Sequence, residues 1–229
     1  MDILIIQHVA FEKPGHFINI FNSYNPNIHY LNIYEDSPDR GQNYDVLLIM
    51  GGPMNIYEEN VYPWLKEEKK IISEAITEGK IVIGVCLGAQ LIADSLGAKI
   101  YKNKSPEIGW FPVKKTNDRI LNFLPDFATV FHWHGETFNI PEKCIAFYSS
   151  DVTENQAFIY DRRVLGLQFH LEMQKEDINA LIENCRDEIK DSVYVMQEQE
   201  MLDYFNSYSY NNKRMLENLI LWLFEENFE

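Results

Sequence analysis

The chain has 229 residues, of which 46% are apolar and 24% charged, so it can bury a sizeable core and is not a disordered chain. Its formal net charge of −15 disfavours nucleic acid and anionic membrane surfaces as partners, because both are negatively charged. The three cysteines form no CxxC pair, which argues against a disulfide framework and a thiolate zinc site, and we expect a cytoplasmic protein.

The first half of the chain predicts alternating strands and helices. Short apolar runs at residues 3–6, 45–50 and 81–85 are typical of buried strands, and residues 29–34 alternate as a strand does. Helices are predicted at 17–24, between Pro63 and Gly79, and at 87–96. The N-terminus is interpreted as a first strand and not as a signal peptide, and no apolar run is long enough to cross a bilayer. This alternation predicts an α/β fold, with a mostly parallel central sheet and helices on both faces.

The second half predicts more strands and then a helical extension. Strand-like runs occur at 98–102, 108–115, 128–133, 144–149, 156–160 and 164–170, and we expect some of them to extend the main sheet and others to form a small flanking β region. Residues 174–229 contain no Gly or Pro and carry thirteen Asp and Glu against five Lys and Arg. This composition predicts two helices with a solvated acidic face, joined by a loop at 204–212. We predict one domain spanning residues 1–229.

The segment Gly84-Val85-Cys86-Leu87-Gly88 has the spacing of a nucleophile elbow. The two glycines allow a sharp turn between strand and helix, which would expose the Cys86 side chain above the sheet. The helix that begins at Leu87 would direct free N–H groups at the sulfur and favour the thiolate, and the Leu87 N–H could stabilise an oxyanion. The alternative is a small buried cysteine that only packs between strand and helix.

A base for this nucleophile is predicted at His170, which ends the apolar run 164–169. Parallel sheets place their sites at such strand ends. Glu172 lies two residues further and points to the same side in an extended chain, so it can hold the imidazole in one tautomer. The alternative for this pair is a surface ion pair at the end of a strand.

Three other features leave alternatives open. Gly51-Gly52-Pro53 could be a plain turn after a strand. His132, His134 and Glu136 alternate in a way that would suit a metal, but no other metal signature accompanies them, and we predict no metal site. No GxxxxGK[ST] or GxGxxG motif is present, so no cofactor is predicted. His8 has no partner at a telling spacing and is expected to be a surface or capping residue.

The segments GVCLGAQ and GLQFHLE resemble the two signature segments of class I glutamine amidotransferases. LLIMGGPMNIYEEN, PWLKEE, VFHWHGETFNIP and NQAFIY resemble a narrower group of stand-alone proteins similar to the glutaminase domain of GMP synthase. The resemblance covers residues 1–173 and leaves the extension unmatched. It departs from the family at Leu171, where the family has proline, and we expect no synthetase domain in this chain.

The resemblance implies a Cys-His-Glu triad that hydrolyses the side-chain amide of glutamine through a thioester. Cys86 would attack the amide carbon, His170 would protonate the departing ammonia and then activate water, and Glu172 would hold His170. The residues that would bind the oxyanion or the two ends of glutamine are Gly52, Leu87, Gln90, Trp133, His134 and Gly135.

Three functions follow as hypotheses. The first is a glutamine amidotransferase that passes ammonia to a synthetase acting in trans. The second is a peptidase or hydrolase of γ-glutamyl compounds, which needs the same triad. The third is a non-catalytic interaction protein on the same fold, for which the acidic extension could serve as a docking surface. In the first two, the partner is a small molecule, glutamine or a γ-glutamyl compound.

Overall fold

The structure, a computed structural model, describes residues 1–36, 43–117 and 120–228. These residues form nine strands and five α-helices, and a 3-10 turn at Arg186–Glu188 follows the fourth helix. In chain order the elements are β1 (Asp2–Gln7), α1 (His16–Asn22), β2 (Asn27–Asn32), β3 (Val46–Ile49), α2 (Trp64–Thr77), β4 (Ile81–Val85), α3 (Leu87–Ser95), β5 (Ile100–Lys115), β6 (Phe127–Phe138), β7 (Ile145–Ser149), β8 (Ala157–Tyr160), β9 (Val164–Leu167), α4 (Lys175–Cys185) and α5 (Glu198–Phe228).

All nine strands belong to one sheet, in the order β2-β1-β3-β4-β9-β8-β7-β5-β6. The pairs from β2 to β9 are parallel, and the pairs from β9 to β6 are antiparallel. The prediction of a mostly parallel sheet is therefore wrong, because the sheet is mixed and its longest ladder, between β5 and β6, is antiparallel. The predicted small flanking β region is also wrong for the described residues, since those strands extend the central sheet.

Helices cover both faces of the parallel half, as predicted. Successive side chains of a strand point to opposite faces. Ile3 and Ile5 of β1 pack into the buried cluster that includes α1 and α5, whereas Leu4 and Ile6 pack into the cluster that includes α2 and α3. Burial on both faces explains why these strands are continuous apolar runs in the sequence.

The predicted loop at 204–212 lies inside α5. Asn, Ser and Tyr are poor helix formers, but two contacts fix this segment against the sheet. The Asn212 side chain donates to Thr129 O at 2.7 Å and to Tyr208 O at 2.9 Å, and the Tyr208 ring packs 5.6 Å from that of Trp110. Tertiary packing therefore overrides the local preference of the sequence.

The C-terminal extension is helical, as predicted, and is built into the protein core. Leu216, Leu219 and Ile220 of α5 belong to the same buried cluster as β1, β3 and β4. The segment before α5 pairs with β5, where Ile108 N donates to Tyr194 O and Met196 N donates to Ile108 O, each at 2.9 Å. That one domain spans residues 1–229 stays a prediction. None of the described helices has the length and apolar character of a membrane span.

Candidate active site

Cys86 occupies the predicted sharp turn between β4 and α3. Its backbone has φ 52° and ψ −108°, a conformation that costs a non-glycine residue about 1–3 kcal/mol. A Cβ at Gly84 would come within 2.5 Å of the Gly88 backbone, and a Cβ at Gly88 would overlap Ile49 O. Both glycines are therefore required by close backbone approach, and the turn raises the cysteine above the sheet edge.

The register of two neighbouring parallel strands brings Cys86 beside the segment that carries His170. Val85 of β4 is level with Leu167 of β9, and Cys86 N donates to Leu167 O at 2.8 Å. Gln168, the next residue along, donates from Nε2 to Cys86 Sγ at 3.7 Å. Cys86 and His170 each shift the pKa of the other and both line one cavity, so the side chains predicted as nucleophile and base lie near each other.

Glu172 lies against the other side of the imidazole. Its Oε1 is 2.6 Å from His170 Nδ1, and both side chains are 2% exposed. This contact assigns the Nδ1–H tautomer and leaves Nε2 to face the sulfur. Glu172 Oε2 accepts from Leu171 N at 3.0 Å. A proline at position 171 has no N–H, so the departure from the family pattern supplies an additional hydrogen bond that holds this carboxylate.

The pKa values of the pair respond to burial and to their neighbours in different ways. Burial acts to lower the pKa of His170, but the Glu172 carboxylate and the thiol outweigh it and raise that pKa well above 6.5. Burial raises the pKa of Cys86, while His170 and the Leu87 N–H act in the opposite direction. The N–H at the helix N-terminus lowers the pKa of Cys86, as expected, but burial outweighs this effect because it removes the thiol from water.

The loop after β3 lies beside the nucleophile and rests on a buried ion pair. His8 is fully buried and lies outside the helices, which corrects its expected position as a surface or capping residue, and its Nδ1 is 2.9 Å from Gly51 O. Its Nε2 is 2.8 Å from Glu68 Oε1, which raises the pKa of His8 despite the opposing effect of burial. This pair fixes the Gly51 carbonyl and thereby the orientation of the following Gly52 peptide.

A cavity of about 680 Å³ opens above the cysteine, and the predicted substrate residues line it. Cys86 Sγ donates to Trp133 O at 3.6 Å, and Gln90 Nε2 donates to Gln168 Oε1 at 3.1 Å. Trp133 Nε1 donates to Glu188 Oε2 at 3.0 Å, which connects β6 to the turn after α4. The lining residues among those predicted are Gly52, Cys86, Leu87, Gln90, Trp133, His134, Gly135 and His170.

His132 and His134 lie side by side on β6, with 3.3 Å between His132 Nδ1 and His134 Nε2. Glu136 does not join them, since its carboxylate accepts from Asn55 Nδ2 at 2.7 Å. Glu107 lies beside the two histidines instead, with its Oε2 3.4 Å from His134 Nε2. The side chains of Glu107, His132 and His134 could therefore reach one metal ion. Burial lowers the pKa of both histidines to about 3. The absence of a metal stays a prediction.

A profile of the family "Glutamine amidotransferase class-I" matches residues 18–188. The chain belongs to the class I glutamine amidotransferase family. It is 32% identical to a glutamine amidotransferase of Thermotoga maritima whose crystal structure covers 97% of both chains with a TM-score of 0.88. A glutamine amidotransferase of Methylobacillus flagellatus is 26% identical, with a TM-score of 0.91 over 98% of this chain and 94% of that one.

Two kinds of curated relative are similar to this class I chain. The glutamine amidotransferase-like protein YfeJ of Salmonella typhimurium is 28% identical over 84% of both chains. The glutamine-hydrolysing GMP synthase of Staphylococcus epidermidis is 32% identical over 60% of this chain. The match spans only 26% of that GMP synthase, so most of its length has no counterpart here.

Sequence reasoning missed several side chains around this class I site. Gln168 precedes a predicted strand end and gave only a weak signal, as a polar residue inside an apolar run. His8 and Glu68 gave none, because they pair across sixty positions of the sequence, and Glu12 gave none, because its neighbours in the cavity come from distant segments. Glu12 is 8% exposed and lines the same cavity as Cys86 and His170.

Proposed function

We propose that this protein hydrolyses the side-chain amide of glutamine through a thioester on Cys86. The observation that carries the proposal is that Cys86 and His170 line one cavity and interact electrostatically, while Glu172 hydrogen-bonds the imidazole from the other side. Cys86 is the nucleophile, His170 the general acid and base, and Glu172 the residue that orients His170 and stabilises its protonated form. Membership of the class I family supports the glutamine amide as the bond that is cleaved.

The first half-reaction forms the thioester. As Cys86 Sγ attacks the amide carbon, its proton passes to His170 Nε2, and the carbonyl oxygen becomes an oxyanion. The N–H groups of Gly52 and Leu87 stabilise this oxyanion, since both line the cavity beside the sulfur. His170 then gives the proton to the nitrogen as the C–N bond breaks, which releases ammonia.

The second half-reaction uses water. His170 takes a proton from the water that attacks the thioester, and returns it to Sγ as the C–S bond breaks and glutamate leaves. The opposing effects on the Cys86–His170 pair suit this sequence. Burial favours the neutral thiol, the form in which Cys86 leaves the thioester. Glu172 favours the imidazolium that forms each time His170 has accepted a proton.

The two ends of glutamine bind to the wall that α3 and β6 form. Gln90 and the backbone of Trp133, His134 and Gly135 contact its α-amino and α-carboxylate groups, a role supported by their position around the cavity. Ammonia could be transferred to a synthetase in trans, as the resemblance to glutamine-hydrolysing GMP synthases suggests.

The test is glutamate production from glutamine by the wild type and by Cys86→Ser, with and without a candidate synthetase. We expect glutamate from the wild type and almost none from the variant. Equal rates would reject the mechanism. If a thiol-reactive glutamine analogue left Cys86 unlabelled, the non-catalytic interaction protein would become the better hypothesis.

The size of the cavity favours hydrolysis of larger γ-glutamyl compounds as a second candidate function. About 680 Å³ is in the range of sites that hold drug-sized ligands, and glutamine is smaller than these. The same triad cleaves an amide on a γ-carbonyl whatever the leaving amine. A comparison of kcat/KM for γ-glutamyl peptides and glutamine separates the candidates, and a higher value for glutamine would reject this one.

A further inference from the structure

Glu12 is a buried carboxyl group that the reaction described above does not use. It lies in the loop between β1 and α1 and is 8% exposed. Among the described residues, no hydrogen bond to its carboxylate is found, and burial is the largest influence on its pKa. Glu12 lines the same cavity as Cys86 and His170, where the substrate would bind.

The carboxylate lies close to the reacting groups. A Cβ at Gly51 would overlap Glu12 Oε2 and would lie 3.5 Å from Cys86 Cβ, so both side chains border the same small space above Gly51. His170 is the charged group that acts most strongly on Glu12, followed by His8. Glu12 therefore lies beside Cys86 and within electrostatic range of His170.

The leaving nitrogen of the substrate must lie where His170 can protonate it, and hence next to Glu12. The other carboxylates near this point are already engaged. Glu172 accepts from His170 Nδ1 and from Leu171 N, and Glu188 Oε2 accepts from Trp133 Nε1. Glu12 is thus the carboxylate available to a positively charged group at this position.

We propose that Glu12 forms a cation-binding subsite that receives the leaving nitrogen, as ammonium from glutamine or as alkylammonium from a γ-glutamyl amine. This inference rests on the proposed function and defines the chemical class of the leaving group. When the C–N bond breaks, His170 delivers one proton and a neutral amine results. A second proton passes from the Glu12 carboxyl to the amine, which leaves a carboxylate paired with an ammonium ion.

The direction of that second transfer follows from acidity. Burial raises the pKa of Glu12 to about 7, although His170 and His8 act to lower it. An alkylammonium group such as that of lysine has a pKa of about 10. The proton therefore moves to the amine. Ammonium is not a nucleophile, so such a subsite suits hydrolysis better than delivery of neutral ammonia to a synthetase.

The test measures how methylammonium chloride changes the rate at which iodoacetamide alkylates Cys86, against sodium chloride at equal concentration. We expect a saturable change in the wild type, and an affinity reduced about tenfold or more in Glu12→Gln, because one charge-assisted hydrogen bond is lost. Glu188→Gln is the matched control and should retain the wild-type response. The same dependence in the wild type and Glu12→Gln, or none in the wild type, would overturn the proposal.

Turnover gives a second arm that separates this proposal from the proposed function. Glu12→Gln should lower kcat/KM about tenfold or more for glutamine and γ-glutamyl methylamide, and much less for γ-glutamyl p-nitroanilide, whose leaving amine is weakly basic. An equal loss for all three substrates would reject the subsite while the proposed function stands. Methylammonium binding through Glu12 without turnover of any substrate would reject the proposed function and leave the subsite standing. Thermal unfolding of each variant verifies that it is folded.

Discussion

The two halves of the sheet contribute different parts of the site. In the parallel half all strands end at one edge, so the residues that follow them meet there: Glu12 after β1, Gly52 after β3, Cys86 after β4 and His170 after β9. The antiparallel half reaches the same cavity with the middle of β6, at residues 133–135. The parallel half thus holds the groups proposed to react, and the antiparallel half forms a wall.

This comparison predicts a division in kinetic effects. Substitutions at the ends of the parallel strands should lower kcat, because they remove groups that act in the transition state. Substitutions in β6 should mainly raise KM, because that strand only contacts the substrate. A substitution in β6 that lowers kcat and leaves KM unchanged would contradict this division between the two halves.

Cys86→Ala should have the largest effect. Without the sulfur no thioester forms, and we expect kcat for glutamine to fall by at least about 10⁴-fold. Steady-state glutamate release measures this, and Cys144→Ala, outside the cavity lining, is the control that should keep wild-type activity. Comparable losses in both variants would contradict the assignment of Cys86 as the nucleophile.

Glu172→Gln should lower kcat by about 10²- to 10⁴-fold, because the amide cannot stabilise the imidazolium. Glu172 raises the pKa of His170, so its loss should lower that pKa. His170 must be neutral to accept a proton, and activity falls as pH drops below its pKa. The acidic limb of the pH–rate profile should therefore move to lower pH, and a limb that stays in place would contradict this role.

Glu12→Gln should make the protein more stable above pH 7, although it impairs the subsite. The pKa of Glu12 is raised from 4.5 to about 7, so the unfolded chain ionises first as pH rises, and the wild type loses up to about 3 kcal/mol of unfolding free energy between these values. The amide side chain introduced at position 12 cannot ionise, so the variant does not lose this stability. Urea unfolding at pH 5 and pH 8 should show a much larger gain at pH 8, and an equal difference at both would refute it.

Gly135→Ala should have the smallest effect of these and should appear in KM. A Cβ at this position would meet only Pro106 Cβ, at 3.9 Å, so the added methyl group fits the fold and projects beside the cavity. We expect KM for glutamine to rise up to about tenfold with kcat and thermal stability retained. An unchanged KM would argue that residues 133–135 do not contact substrate.

The convergence of Cys86, His170 and Glu172 could be predicted from the sequence because each lies at or just after the end of a buried strand. The antiparallel pairing of β8 with β9 could not. Its hairpin turns at Asp161 and Arg162, which have φ of 48° and 52°, a geometry that Asn-Gly or Asp-Gly normally announces. Without a glycine there, the two apolar runs gave no sign of their relative direction.

The remaining site residues escaped prediction for a related reason. Glu68 lies on α2, sixty positions from His8, and its pairing depends on how α2 packs against the loop after β1. Local spacing carries no record of such contacts, and the same holds for Glu12 and Gly51. Buried polar partners from distant segments become visible only once the strands are assembled.

The family match stops at residue 188, yet Leu216, Leu219 and Ile220 fill the space beneath β1 and β3. A recombinant fragment cut at residue 188, where the family match ends, would leave those strands with an uncovered apolar face. We therefore expect such a truncation to precipitate instead of yielding a minimal enzyme. Anyone trimming related proteins for expression should choose the boundary by packing, not by alignment.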